Sequence, residues 1–216
     1  MKVLVACECS QVVCKAFRDK GHFAFSCDLQ PSYGGHPEWH IIGDCLPLLK
    51  GNCTFTTEDG TTWKLPCTWD LIIAHPPCTY LSKAGANWLI SIVNGERIIN
   101  KEREAKMREA AEFFYKIIYT VPECTKLCIE NPQPLKMANL PCPTQSIQPY
   151  YFGDKLRKYT YLWLYNDLMP LLCFTTTVPD GVVPIVSSSN NGLYSSPKLR
   201  SQTAPGIALA MANQWG

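Results

Sequence analysis

The sequence predicts a doubly wound α/β fold, in which a mostly parallel β-sheet carries helices on both faces. Two observations favour this fold. Short apolar runs rich in β-forming residues alternate with stretches of helical periodicity, and the apolar runs end in polar or acidic residues. In such sheets the ligand lies beyond the carboxyl ends of the strands, so these polar ends are the candidate functional residues.

The chain is long enough for one domain with a sizeable core and too short for two ordinary ones. Of its 216 residues, 46% are hydrophobic and 18% charged, which is the composition of a globular protein. We predict a single domain over residues 1–216, with a hairpin excursion at about 53–66 and an irregular insertion at about 166–204. The formal net charge of +2 gives no global argument for nucleic-acid binding.

The sequence gives no sign of a membrane or secretory protein. It has no run of about 18 apolar residues, so we expect no membrane span. The apolar start, MKVLVACECSQ, lacks a small-residue cleavage site and is more typical of a buried first strand. We therefore predict a cytoplasmic location. The 12 cysteines show no paired C-x-x-C spacing, so we interpret most of them as core thiols and expect no metal.

The first part of the chain supplies three predicted strands and one helix. Residues 2–7 form a β-rich apolar run, a second run spans His22–Cys27, and a third is Ile41–Ile42. Between the first two, Ser10 is predicted to cap a helix that Gly21 ends. The apolar face of that helix consists of Val12, Val13, Ala16 and Phe17.

The middle of the chain combines a hairpin with a buried strand. Residues 53–66 alternate around Asp59–Gly60, which predicts a β-hairpin at the edge of the sheet. Substrate contact and protection of the sheet edge are both open as its role. The run Trp69–His75 is typical of a buried strand, and Pro76–Pro77 ends it because proline cannot continue the ladder.

The rest of the chain alternates in the same way. The longest helical pattern runs from Glu96 to Tyr119. Strands are predicted at Lys126–Ile129 and at 159–164, whereas 166–204 lacks periodicity and is predicted to be mostly loop. Pro205 opens a final helix, Gly206–Trp215, at the favoured first-turn position. The apolar positions of the long helix include Ile98, Ile99, Met107, Ala110, Phe114, Ile117 and Ile118.

Acidic residues end three successive strands, at Glu8, at Asp28 and at Gly43–Asp44. An acid at the end of the second strand is placed to bind ribose hydroxyls, and Asp44 can accept from the exocyclic amine of adenine. Each acid alone is more typical of a cap, but the series favours a nucleoside ligand. The first loop, ACECS, lacks G-x-G-x-x-G, which argues against a dinucleotide. S-adenosylmethionine has no phosphate, and its sulfonium and amino groups suit a carboxylate such as Glu8.

Cys78 is the strongest candidate nucleophile. It follows a buried strand within AHPPCTYLS, residues 74–82, where two prolines stiffen the exit of the strand. A thiolate at this place can attack C6 of a pyrimidine and make C5 nucleophilic enough to accept a methyl group. Such reactivity requires a nearby positive charge or a helix N-terminus. The alternative is one more buried core cysteine.

Glu130 is the candidate partner of that thiol. Glu130 is the first residue of E-N-P, residues 130–132, and ends an apolar strand. We therefore expect its carboxyl group to be partly desolvated, with a raised pKa. A protonated glutamate can donate to N3 of the pyrimidine as negative charge builds on the ring. A capping role is the alternative for Glu130 taken alone.

These two motifs resemble motifs of the DNA cytosine-5 methyltransferases. P-P-C at 76–78 is similar to that family's fourth motif, usually P-C, and E-N-P at 130–132 is similar to its sixth, usually E-N-V. The chain order agrees, and the resemblance is closest to the short, phage-type branch. The resemblance implies a Rossmann-like sheet of the class I S-adenosylmethionine-dependent methyltransferase type. If the chain is phage-encoded, it also implies that the protein acts in the cytoplasm of the host cell.

The resemblance extends to two later stretches. QPYYFGDKLRKYT, residues 148–160, is similar to a basic motif whose arginine steadies the pyrimidine O2, a catalytic role implied here for Arg157 or Lys158. SQTAPGIALAMANQWG resembles the last motifs, where a helix closes the cofactor pocket. The implied contacts to S-adenosylmethionine are Cys7, Glu8, Cys9, Ser10, Asp28, Leu29, Gly43, Asp44, His75, Pro77 and Asn213, with no metal.

The sequence also departs from the family. Its first loop is poor in glycine, its basic motif has arginine and lysine adjacent, and only residues 166–204 stand where the family has a large target-recognition region. So short a segment can hardly read several bases in the major groove. The expected partner is DNA, duplex or single-stranded. A free pyrimidine nucleotide, a non-catalytic nucleotide-binding or host-blocking module, and a homodimer or accessory subunit all remain open.

Overall fold

The computed structural model describes residues 1–66, 68–83, 89–93, 96–184 and 197–216. In the N-terminal part the elements are β1 (Lys2–Ala6), α1 (Val12–Asp19), β2 (Phe23–Asp28), β3 (His40–Ile42), α2 (Leu46–Leu49), β4 (Thr54–Thr56), β5 (Thr62–Lys64) and β6 (Leu71–Ala74). They continue with β7 (Ile90–Val93), β8 (Glu96–Ile99), α3 (Lys101–Thr120), β9 (Lys126–Pro132), β10 (Gln145–Ile147), β11 (Leu156–Arg157), β12 (Thr160–Tyr165), β13 (Val183–Pro184), α4 (Pro197–Ser201) and α5 (Pro205–Trp215).

A seven-stranded sheet in the order β10-β12-β9-β6-β1-β2-β3 forms the centre. The neighbours from β9 to β3 pair in parallel, while β12 is antiparallel to both β9 and β10. The five consecutive parallel strands therefore follow the order 3-2-1-4-5 in chain terms. β1 lies between β2 and β6, so the strand order reverses there, and ligands of open α/β sheets bind beyond the carboxyl ends at such a point. The predicted mixed α/β fold is confirmed.

The two faces of the sheet are covered by different layers, because side chains alternate along each strand. Val3 and Val5 of β1 pack in one core cluster with α1 and α5, while Leu4 and Ala6 pack in a second cluster with α2 and α3. The final helix is confirmed, and its apolar face closes the first cluster. Both faces are thus buried, which explains the nearly continuous apolar runs of the parallel strands.

Helix α1 differs from the prediction at its start. Gln11 precedes it with φ of 61°, and Ser10 Oγ lies 3.5 Å from the amide of Val12. The cap comes from Glu8 instead, whose carboxylate accepts hydrogen bonds from the amides of Val13 and Cys14 in the first turn. The predicted Ser10 cap is therefore wrong, because a longer side chain two residues earlier reaches the helix. The end at Gly21 is confirmed by its φ of 85°.

The predicted hairpin forms from β4 and β5. The amide of Glu58 in its turn donates to the carbonyl of His40, which ties the hairpin to β3 at the end of the sheet. Phe55 is buried, lies edge-on to Phe25 and stacks on Trp69. The hairpin is thus a packed part of the core at the sheet edge.

The long helix starts later than predicted. Residues 96–99 form β8, which pairs with β7, and Ile98 and Ile99 are exposed instead of lying on a helix face. Helix α3 begins at Lys101 because the side chain of Asn100 accepts from the amide of Arg103, 3.1 Å away. β-Branched isoleucines have low helix propensity, so the cap competes successfully with the apolar pattern.

The C-terminal part combines confirmed and missed elements. The late strand is confirmed as β12, but β10 beside it gave no pattern in the sequence. Residues 166–184 are mostly irregular, as predicted, and form only β13, which pairs with β11. The rest of the predicted loop includes 185–196, outside the described residues, and α4. In the described ranges no helix is long and apolar enough to cross a membrane.

Candidate active site

A cavity of about 360 Å3 lies at the carboxyl ends of β1, β2, β6 and β9. This is the edge of the sheet at which the strand order reverses. Segments near β12 and the start of α5 close it from the other side. Eleven of the predicted site residues line it: Cys7, Glu8, Cys9, Ser10, Asp28, Leu29, His75, Pro77, Cys78, Glu130 and Lys158.

A second cavity, of about 380 Å3, shares part of this wall. Both cavities are lined by Cys7, Asp28, Leu29 and Pro77. The second also contains the two other predicted strand-end residues, Gly43 and Asp44, together with Cys27, Cys45 and Phe113. The structure therefore brings the three acidic strand ends to one place, with an apolar wall beside Asp28 and Asp44.

The loop that carries Cys78 is tied to the neighbouring strand. The side chain of Asn131 donates to the carbonyl of Pro76 at 2.9 Å. On the far side of the prolines, the amides of Leu81 and Ser82 donate to the carbonyl of Cys78 at 3.1 and 2.9 Å. These bonds hold Cys78 in a tight turn between β6 and β9, which places its thiol in the cavity with Glu130.

The thiol of Cys78 is not pre-ionised. Burial raises its pKa, the charge of Glu130 raises it further, and Lys158 opposes both. The positive charge that a reactive thiolate requires is therefore supplied in part by Lys158. Burial and Glu130 therefore favour the thiol form of Cys78 over the thiolate.

Glu130 is buried but differs electrostatically from the prediction. Burial pushes its pKa up, yet the hydrogen bond from His75 and the charges of Lys158 and His75 bring the pKa below the usual value. Its Oε2 lies 2.9 Å from Nδ1 of His75. The expected raised pKa is wrong for the free protein, because the sequence does not show that His75 and Lys158 lie beside this carboxylate.

Of the two basic candidates, only Lys158 reaches the cavity. Its Nζ donates to the carbonyls of Arg200 and Gln202 at 3.0 and 3.2 Å, which ties the segment before β12 to the segment before α5. Arg157 is exposed on β11 and lines neither cavity. Lys158 lies just after that strand, in the short connection to β12.

Glu8 has a structural role as well as a place in the wall. Its Oε1 accepts from the amide of Val13 at 2.8 Å and from Ser10 Oγ at 3.2 Å, and its Oε2 accepts from the amide of Cys14 at 3.1 Å. Burial raises the pKa of Glu8, while the nearby charge of His75 lowers it. The carboxylate therefore anchors α1 while it adds negative charge to the cavity.

The glycine-poor first loop adopts backbone angles that usually favour glycine. Cys7 has φ of 60° and Gln11 has φ of 61°, both in the left-handed region. Gln11 is held there by its buried side chain, which donates to the carbonyl of His36 at 2.8 Å and accepts from the amide of His36 at 3.1 Å. The loop thus takes the shape of a tight turn without glycine.

Several site residues were not predicted. Thr203, just before α5, is buried and lines the cavity, whereas Asn213 lies exposed near the end of that helix and lines neither cavity. Tyr33 lines it because its amide donates to the carbonyl of Cys9, and Lys198 Nζ stands 3.7 Å from the centre of its ring. Arg200 is close to Lys198 in the sequence, but only the tertiary fold brings Arg200 to the cavity.

No protein-family model matches the sequence, and no curated protein matches it either. The arrangement of side chains at the edge of the sheet is therefore the basis for a functional proposal. Among the described residues, no group of three or more histidine, cysteine, aspartate or glutamate side chains is placed to hold a metal ion.

Proposed function

We propose that the protein is an S-adenosylmethionine-dependent methyltransferase that acts on C5 of cytosine in DNA. The observation that carries this proposal is the meeting of Cys78 and Glu130 in one cavity, at the point where the strand order of the sheet reverses. A thiol and a carboxylate on the same wall are the two groups that nucleophilic addition to a pyrimidine requires. The resemblance of P-P-C and E-N-P to methyltransferase motifs supports the same assignment.

The residues present fit the proposed cofactor. Asp28 ends β2, where a carboxylate suits ribose hydroxyls, and the second cavity offers Asp44, Leu29 and Phe113 to a flat, partly polar ring such as adenine. Glu8 supplies buried negative charge for a sulfonium or amino group. When bound, S-adenosylmethionine supplies the methyl group that C5 of the pyrimidine takes up. The antiparallel strand β12 also distinguishes this sheet from the dinucleotide-binding order.

The chain's own residues then account for activation of the base. Cys78 loses its proton and forms a bond to C6, which moves electron density from the C5–C6 double bond toward C5 and N3. Lys158 stabilises the thiolate, since its charge lowers the pKa of Cys78. Glu130 faces the same cavity and is the group that passes a proton to N3 as negative charge builds on the ring. After C5 has been methylated, loss of the C5 proton and departure of the Cys78 thiolate restore the aromatic ring.

The basic residues in the wall of the cavity support a substrate that carries phosphate. Acidic groups occupy the interior, whereas Lys158 and Arg200 line the side near α5 and Lys198 stands over Tyr33. Positive side chains of this kind hold nucleotide phosphates. Residues 166–184 form a two-residue strand, β13, and the whole stretch 166–204 is short for reading several bases in the major groove. A single strand or a weakly specific duplex site therefore suits the cavity better than a long recognition sequence.

Tritiated methyl transfer from S-adenosylmethionine to unmodified DNA tests the proposal. Wild-type protein is expected to incorporate label, and Cys78→Ser is expected to abolish it. Cys142→Ser is the matched control, because Cys142 is exposed and lines neither cavity. Incorporation of label by Cys78→Ser as well as by wild type would refute the role of Cys78 as the nucleophile.

A covalent test separates the substrates. Cys78 should form a stable adduct with oligonucleotides that contain 5-fluorocytosine, because fluorine at C5 prevents the final elimination. Duplex DNA, single-stranded DNA and the free 5-fluorinated nucleotide are compared under the same conditions. An adduct with the free nucleotide alone would favour nucleotide methylation, and binding of the cofactor without any adduct would favour a non-catalytic module.

A further inference from the structure

His75 occupies a fixed position between the two buried carboxylates of the site. It follows β6 directly, and its amide donates to the carbonyl of Ala6 at 2.9 Å, so the β1–β6 ladder continues through it. Its side chain is only 12% exposed. Glu8 follows β1 on one side of β6, and Glu130 lies near the end of β9 on the other, so the imidazole stands near the carboxyl ends of three neighbouring strands.

The contacts of the imidazole ring are unequal. Nδ1 lies 2.9 Å from Oε2 of Glu130, whereas Nε2 is buried and has no hydrogen-bond partner among the residues that the structure describes. The charge of His75 also lowers the pKa of both Glu8 and Glu130. The ring is therefore hydrogen-bonded to one carboxylate and electrostatically coupled to both, so a proton held on it would lie directly beside Glu130.

We infer that His75 is a positioning residue that stores the proton which Glu130 delivers to the pyrimidine. This inference rests on the proposed function. It explains how Glu130 can serve as an acid although its partners keep it ionised in the free protein. A carboxylate that holds no proton cannot donate one to N3, so the proton has to come from a group in contact with it.

The proton and the electron pairs balance in the following step. The thiol of Cys78 first loses its proton to solvent water. The Sγ–C6 bond then forms, and the π pair of the C5–C6 bond is displaced through the ring toward N3. One proton passes from Nδ1 of His75 through the Glu130 carboxylate to N3. The imidazolium becomes a neutral imidazole, Glu130 stays ionised, and the ring carries no net added charge. Elimination of Cys78 returns the proton along the same path.

The surrounding charges give this path a defined pH dependence. The titratable or charged groups that face the pair are Glu8 after β1, Cys78 in the loop after β6, Cys128 within β9 and Lys158 before β12. Ionisation of Cys78 makes adduct formation faster as pH rises. Loss of the stored proton makes adduct formation slower. The rate should therefore follow a bell-shaped profile, because the reaction needs an ionised Cys78 and a stored proton at the same time.

His75→Asn tests the inference, since asparagine keeps an N–H donor near the position of Nδ1 but cannot give up a proton. The measurement is the single-turnover rate of adduct formation with a 5-fluorocytosine oligonucleotide as a function of pH. We expect a rate about 100-fold below that of wild type at neutral pH and no alkaline limb. His36→Asn is the matched control, because His36 forms a similar pair with Glu38 at 3.0 Å and lines neither cavity.

The possible outcomes separate this inference from the function on which it rests. A His75→Asn protein that reacts at the wild-type rate, or that is slowed equally at every pH, would show that His75 only orients Glu130. A wild-type protein that forms no adduct with any substrate would overturn the proposed function itself. Wild-type behaviour of His36→Asn, together with loss of the alkaline limb in His75→Asn, supports the proton store.

Discussion

The Glu8→Gln substitution is the most direct test of how the first loop is held together. The carboxylate accepts three hydrogen bonds, from the amides of Val13 and Cys14 and from the hydroxyl of Ser10. Glutamine has only one acceptor oxygen, so its NH2 group must face one of the two amide groups, donor against donor. One backbone N–H at the buried start of α1 then has no partner.

The expected cost follows from that loss. A buried donor left without a partner costs about 1–3 kcal/mol, and we expect the free energy of unfolding to fall by about that amount in Glu8→Gln. For a domain of this size each kcal/mol lowers the melting temperature by roughly 2–4 °C. Relief from burying a negative charge offsets part of the loss, because burial raises the pKa of Glu8.

The sign of the pH dependence is also fixed. An acid whose pKa is raised in the folded state contributes stability that is fully present below its unfolded pKa and is lost as pH rises through the folded pKa. Glutamine does not titrate. The difference in unfolding free energy between wild type and Glu8→Gln should therefore be largest at acid pH and should narrow as the pH rises.

Urea unfolding followed by tryptophan fluorescence measures both effects. The matched control is Asp154→Asn, because Asp154 accepts only one helix amide, that of Gly206 at 2.9 Å. Asparagine retains one acceptor oxygen and caps helices about as well as aspartate, so this control should change stability by less than about 0.5 kcal/mol. A loss in Glu8→Gln no larger than in Asp154→Asn would refute the capping role.

Three further predictions test the core, the site charge and the choice between the basic neighbours. Phe55→Ala should lower the free energy of unfolding by about 3–5 kcal/mol, because the ring is buried against Trp69; a loss below about 1 kcal/mol in urea unfolding would contradict packing of the hairpin. Glu130 has a lowered pKa, so its ionised form adds to the free energy of unfolding above its unfolded pKa of about 4.3. That contribution is lost as pH falls through the folded pKa. Plots of unfolding free energy against pH in acid should therefore be flatter for Glu130→Gln than for wild type. Lys158→Ala should weaken nucleotide binding, measured by calorimetry, more than Arg157→Ala, and equal losses would contradict the assignment.

Much of the fold follows from local patterns in the sequence. Apolar runs that end in Asp28 and Gly43–Asp44 predict buried parallel strands, because a strand covered on both faces needs no polar alternation. Pro76–Pro77 and Pro205 mark the end of a strand and the start of a helix through the fixed φ of proline. These patterns depend only on neighbouring residues in the chain, so they can be read without knowledge of the tertiary structure.

The errors arise where distant residues decide. Glu8 caps α1 because the first loop turns back through left-handed backbone angles at Cys7 and Gln11. Such angles are usually predicted from a glycine, and this loop has none. The low pKa of Glu130 depends on His75, 55 residues earlier in the chain, and on the pairing of β6 with β9. Thr203 rather than Asn213 reaches the cavity, because the start of α5 and not its end faces the site.

The buried pair His75–Glu130 is itself an argument for function. Charged groups taken out of water lose hydration, and a buried ion pair is often no more stabilising than apolar side chains of similar volume. Removing one partner, in contrast, leaves an uncompensated charge and costs about 3–5 kcal/mol. Stability alone therefore gives no reason for a histidine and a glutamate at these two positions. A coupled acid and base at the reversal point of the strand order, beside a thiol, is instead expected where proton transfer is needed.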